Sequence, residues 1–153
     1  MDKRELTIDY FLFPNRFPAE YENLCRKAIE ASACSYSVYS EFAVGAALLL
    51  ENGEIVTGSN QENAAYPSGM CAERTALFYA GAAFPDIPVR ALAIAACYKG
   101  LPRENFVPPC GACRQVMAET IKRYNQDFDV VMIGQKESVM LKASALLPFA
   151  FSF

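Results

Sequence analysis

The chain has 153 residues, 53% of them hydrophobic, which suits one domain with a sizeable core. Its net charge of −3 offers no basic footprint for a nucleic-acid backbone or an anionic membrane, and fits a small neutral substrate better. It contains no histidine, so a zinc site here must use sulfur or oxygen, and a general base must be a carboxylate or a lysine.

Met1 to Glu5 is not followed by an apolar stretch of signal-peptide character, and no run approaches membrane-spanning length; a soluble cytoplasmic protein is expected. Residues 1–17 read as an irregular aromatic extension carrying Phe11, Phe13 and Phe17, and residues 18–153 as a single domain. From Pro18 the chain turns helical, with Tyr21, Leu24, Cys25, Ala28 and Ile29 at helical spacing on one face. Phe42 to Leu50 and Ile55 to Ser59 read as two strands joined through the hairpin signal Asn52-Gly53. A polar stretch from Asn60 to Ser68 leads to a helix over 71–80, with Gly81 just past its end. Val89 to Cys97 is the near-continuous apolar run of a strand buried on both faces. After Pro108-Pro109, a helix over 110–124 turns Val116, Met117 and Ile121 inward. Strands follow at 128–134 and 138–142, then a short helix over 143–147. The order predicts an α/β fold, a mixed five-stranded sheet with helices on both faces in three α/β/α layers.

Six cysteines stand at positions 25, 34, 71, 97, 110 and 113. In a chain of this size without a secretory signal they suggest metal binding or buried thiols more than a disulfide framework. Cys25 lies in a helical stripe and Cys97 in an apolar run, so both are expected to pack as core thiols, while Cys34 stands at a helix end.

Two fragments carry the chemistry: Cys71-Ala72-Glu73-Arg74 and Pro109-Cys110-Gly111-Ala112-Cys113. They offer three thiolate ligands, Cys71, Cys110 and Cys113, and one carboxylate, Glu73, that binding does not require. A structural zinc site closes all four positions with protein ligands, whereas a catalytic site leaves one for water. Glu73 is the natural acid/base partner of that water. Cys110 and Cys113, three apart, share a helix face, but Cys71 and Glu73, two apart, diverge by roughly 200° on a straight helix. Both reach one site only if it lies ahead of the helix, so the metal is expected at the mouths of two helices, starting at Cys71 and Cys110. Three thiolates and one zinc ion sum to −1, and Arg74, three residues after Cys71, could draw off charge by hydrogen-bonding sulfur.

Cys-Ala-Glu followed by Pro-Cys-Gly-Ala-Cys resembles the signature of zinc-dependent nucleobase deaminases in its all-cysteine form. Tyr39 to Ala47, Asn60 to Pro67, Cys110 to Met117 and Leu146-Leu147-Pro148 are similar, more narrowly, to the small homotetrameric cytidine deaminases, from residue 20 onward. The resemblance implies one zinc ion per subunit on Cys71, Cys110 and Cys113, and Glu73 as proton shuttle. It implies that Asn60 and Glu62 bind the ribose hydroxyls, with Phe42 against the base and Ala64, Tyr66 and Ala72 completing the substrate-binding set. Phe151 would stack on the base in a neighbouring subunit's site, in a homotetramer with shared active sites. The implied activity is hydrolytic deamination of cytidine and deoxycytidine to uridine and deoxyuridine with release of ammonia, in pyrimidine salvage. Two rival readings stand beside it: a blasticidin-type aminonucleoside deaminase, and a non-catalytic zinc-binding protein of the same fold. The Asn-x-Glu-Asn stretch at 60–63 favours an ordinary ribose over the first, and Glu73 discriminates against the second.

Overall fold

The computed structural model describes residues 1–153. In chain order its elements are β1 (Phe11–Pro14), α1 (Glu22–Ala31), β2 (Ala43–Leu50), β3 (Ile55–Ser59), α2 (Ala72–Ala83), β4 (Val89–Tyr98), β5 (Leu101–Pro102), α3 (Gly111–Tyr124), β6 (Asp129–Ile133) and β7 (Glu137–Lys142). Short 3₁₀ turns lie at Ala19–Tyr21, Ser32–Cys34, Tyr66–Ser68 and Ala143–Leu146. The strands form one mixed sheet ordered β1-β7-β6-β4-β2-β3, with β5 paired to β4. The β4–β6 pair is parallel, joined by the α3 crossover, and the other pairs are antiparallel.

The period of two along β4 builds the layers. Leu92 and Ile94 face one core with Ala72, Ala76, Leu77 and Ala80 of α2 and with Cys113 and Met117 of α3. Ala91, Ala93, Ala95 and Cys97 face the other core with Leu24, Cys25 and Ala28 of α1. The second face is almost entirely alanine, which lets α1 sit close. At Gly45 a Cβ would stand 2.0 Å from the Ala28 carbonyl oxygen. Gly58 on β3 serves α2 in the same way, since a Cβ there would be 2.6 Å from the Ala72 oxygen and 2.7 Å from the Ala76 nitrogen.

The five expected strands are all present, but the sheet has seven. Residues 1–17 are not irregular throughout: β1 lies on the β7 edge with Phe11 opposite Met140 and Pro14 opposite Glu137. β5 turns back on β4 through Lys99-Gly100, both at positive φ. α2 also runs past Gly81 to Ala83. Glycine weakens a helix interior without forbidding it, and here the buried Ala80 and the bond from Phe84 N–H to the Ala80 oxygen carry the helix through. The expected helix at 143–147 is a 3₁₀ turn.

Two outcomes follow from this packing. Gly58→Ala forces β3 and α2 apart, so its urea midpoint should fall by the equivalent of about 3 kcal/mol with an unchanged slope. Burial pushes the Cys25 thiol up to about 12, and burial followed by the bond to Asp129 raises Tyr21. A raised folded-state value means that the stabilising contribution is complete below the unfolded value of 9.0 for Cys25 and is lost as pH climbs through 12. Unfolding free energy should therefore decline above pH 9, and Cys25→Ala should flatten the part of that decline belonging to the thiol.

Candidate active site

Helix geometry places the ligands. Cys71 is the N-cap of α2 with extended backbone (φ −71°, ψ 152°), and Cys110 is the N-cap of α3 (φ −67°, ψ 166°). Cys71 thus stands in front of its helix instead of on its wall, as the two-residue offset from Glu73 demands. Cys113 sits one turn into α3, and the mouths of the two helices converge.

The Cys71 and Cys110 sulfurs are 3.8 Å apart, and those of Cys110 and Cys113 are 3.4 Å apart. A tetrahedral zinc with Zn–S bonds of ~2.3 Å separates its sulfurs by about 3.8 Å. The three sulfurs all lie within 4.8 Å of one another, and no fourth cysteine or carboxylate joins the group. Soft thiolates at this spacing, open at the fourth corner, fit a catalytic zinc. Cys34 is exposed and outside the group, and Cys25 and Cys97 are buried core thiols.

The electrostatics favour anionic sulfur at Cys71. The Cys71 thiol is lowered to about 5, chiefly by a hydrogen bond from the Cys113 thiol and then by Arg74; Cys113, as the donor, is raised. Arg74 Nη2 lies 3.6 Å from Cys71 Sγ, the contact expected from their spacing, and that sulfur raises the guanidinium's own pKa. Arg74 Nε is buried without a partner. Glu73 occupies the first turn of α2 and is only 5% exposed. Burial, and after it the charge of Cys71, raises its pKa, while hydrogen bonds from its own backbone N–H and from the Cys113 thiol oppose the rise. Its position two residues after the Cys71 cap sets it beside the cluster. Ala72, between the two, is fully buried under β3 and cannot swing away.

The segment before α2 forms a second wall. Gln61 and Met70 exchange backbone hydrogen bonds of 2.8 and 2.9 Å, so residues 62–69 leave and re-enter next to Cys71. That excursion carries Glu62, Ala64 and Tyr66. Ala64 and Tyr66 are exposed, the latter at 91%. Asn60 and Glu62 are internal braces. Asn60 Oδ1 accepts from Ser35 Oγ (2.6 Å) and Val44 N–H (2.8 Å), while Nδ2 donates to the Phe42 oxygen at 2.8 Å. Glu62 accepts from the N–H groups of Tyr39 (2.9 Å) and Ser40 (3.3 Å) and from the Ser40 hydroxyl, which hold its pKa low. One Nδ2–H of Asn60 and a remaining carboxylate lone pair are what these two residues still offer a ligand. Phe42 is half-buried, with the Arg103 guanidinium carbon 4.5 Å from its ring centroid.

Phe151 lies at the other end of the chain. Its backbone oxygen accepts from Gln115 Nε2 at 2.9 Å, and its ring, 67% exposed, packs edge-on against Phe153 at 5.2 Å. Sequence spacing did not single out Ser35, Ser40, Arg103 or Arg114. Arg114 ties the Pro109 oxygen (2.8 Å) to the Leu146 oxygen (3.0 Å), fixing the approach to Cys110. All four act by contacts to distant or backbone partners, which local periodicity does not encode.

The family model described as the cytidine and deoxycytidylate deaminase zinc-binding region matches residues 18–125. The chain belongs to this family. The cytidine deaminase of Halalkalibacterium halodurans is 43% identical over 129 residues, covering 84% of this chain and 92% of its own length. That of Sporosarcina psychrophila is 42% identical over 134 residues, covering 87% and 92%. The crystal structure of cytidine deaminase from Burkholderia pseudomallei superposes with a TM-score of 0.73 at 39% identity, covering 84% of this chain and 97% of that one. The deaminase family match starts where α1 and its preceding turn start, so β1 lies outside the matched region.

If the three sulfurs are the zinc ligands of this deaminase, Cys34→Ser should retain one zinc per chain by atomic emission, whereas Cys110→Ser should drop well below it. Loss of metal from Cys34→Ser would contradict the ligand set.

Proposed function

We infer that the protein hydrolytically deaminates cytidine and deoxycytidine to uridine and deoxyuridine, in pyrimidine salvage. One observation carries this reading: three converging cysteine sulfurs open at the fourth corner, with a buried carboxylate in the first turn of the helix that Cys71 caps. Water adds across the amino-bearing ring carbon, the bond to the exocyclic nitrogen breaks, and ammonia leaves; nothing is oxidised or reduced.

Zinc, when bound, lowers the pKa of a water at its open position. Cys71, Cys110 and Cys113 hold it, and Arg74 balances the excess negative charge of three thiolates through its contact with Cys71. Glu73 takes the proton of the attacking water, passes it to the ring nitrogen and then serves the departing amine. Its burial keeps competing water away and raises its basicity, as this double duty requires. Phe42 packs against the base. Asn60 and Glu62 meet the ribose hydroxyls with the capacity left after their bracing bonds, and Ala64 and Tyr66 line the remainder, whereas Ala72, fully buried in the core, offers a ligand no side-chain surface. A purely structural zinc site has no use for a buried carboxylate desolvated beside the metal, which favours catalysis.

The working unit is a homotetramer with shared sites, Phe151 stacking on the base bound by a neighbouring subunit. The fully exposed rings of Phe149 and Phe153, the largely exposed Phe151, and the exposed Phe78 and Tyr79 of α2 support it, since scattered singles need no explanation but two aromatic groups do. Residues 18–153 form the deaminase domain, and residues 1–17 are a segment added to it. The six free cysteines suit the reducing cytoplasm, and no helix is long and apolar enough to cross a membrane.

Glu73→Gln keeps the shape and removes the base. It should retain zinc while kcat for cytidine falls by about a thousandfold, followed by the loss of cytidine ultraviolet absorbance. Activity near the wild-type level would overturn the assignment.

A further inference from the structure

Resting on Phe42 as the base platform, we propose that Arg103 is a positioning residue that sets the angle and height of that ring and so tunes affinity for the nucleoside. The backbone of Phe42 is already fixed from both sides. Its N–H donates to Ser40 Oγ at 3.1 Å, and its oxygen accepts from Asn60 Nδ2 at 2.8 Å. What these bonds leave free is rotation of the side chain. The guanidinium of Arg103 covers one face of the ring, with Cζ 4.5 Å from the centroid, inside the range of a cation–π contact.

Arg103 itself is pinned. Its N–H donates to the Ala96 oxygen at 2.8 Å, and its own oxygen accepts from Gln135 N–H at 3.0 Å, tying it between β4 and the turn after β6. The β4–β5 hairpin, with Lys99 and Gly100 at positive φ, delivers it there. The adjacent acid, Glu104, pairs with Lys136 at 2.6 Å. Arg103 Nε is buried with no hydrogen-bond partner. A flat, weakly hydrated guanidinium rests on an aromatic face more readily than a lysine ammonium does, which suits arginine to this contact. With one face occupied, the other is the face Phe42 can offer a base.

The test is a double-mutant cycle on the zinc-loaded enzyme with steady-state cytidine kinetics. Arg103→Met keeps the length and loses the cation, so its KM should rise about threefold to tenfold with kcat within about twofold and zinc content unchanged. Arg103→Lys should recover part of the KM. Arg103→Met added to Phe42→Ala should raise KM no further than Phe42→Ala alone. If Phe42→Ala raises KM while Arg103→Met matches wild type, or if the two effects are additive, the positioning role is overturned and the platform role of Phe42 stands. If Phe42→Ala leaves KM unchanged, the platform reading itself falls, and the inference falls with it.

Discussion

Two helix N-termini meeting at one point is the constraint on which the site depends. Cys71 and Cys110 are both N-caps, each with extended backbone just ahead of a helix, and both sulfurs face the same small volume. Helix mouths favour anions in general, and at Cys71 the Cys113 thiol and Arg74 lower the sulfur's pKa as well. The tolerance is small. A helix rises 1.5 Å per residue, and a one-residue slip of α2 would carry Cys71 out of range of a bond of ~2.3 Å. Gly58 matters for this reason: it lets α2 lie directly on β3 and fixes the depth at which Cys71 and Glu73 emerge.

Around that point the polar groups divide their duties. Arg74 answers the charge of Cys71, while Glu73 lies buried in the first turn of the same helix. Asn60 and Glu62 show a different economy. Each uses most of its bonding capacity to hold the 35–44 segment, so the same side chains that would meet the sugar also shape the wall carrying Phe42. Binding groups that are themselves held by the fold need little ordering when a ligand arrives.

Much of this was legible in the residues, and what was not has a physical reason. The apolar run at 89–97, the Asn52-Gly53 turn and the helical stripe from Tyr21 to Ile29 are strong local signals, and each became the element it implied. The Cys71–Glu73 offset required a site ahead of the helix, which the cap geometry of Cys71 meets. β1 escaped notice because an exposed four-residue strand ending in proline carries no inside–outside alternation; only its pairing to the β7 edge defines it. β5 is two residues long and exists only as the return arm of a turn. The contact of Arg103 with the Phe42 ring joins side chains 61 positions apart (103 − 42) and has no local signature.

The central claim is a tripod of three sulfurs leaving one corner of the metal for the reacting water. X-ray absorption at the zinc edge of the metal-loaded protein measures that directly. Three sulfur neighbours at about 2.3 Å and one oxygen at about 2.0 Å are the expected shell. Four sulfurs around the zinc would mean a closed site, and the place assigned to Glu73 in the chemistry would be lost.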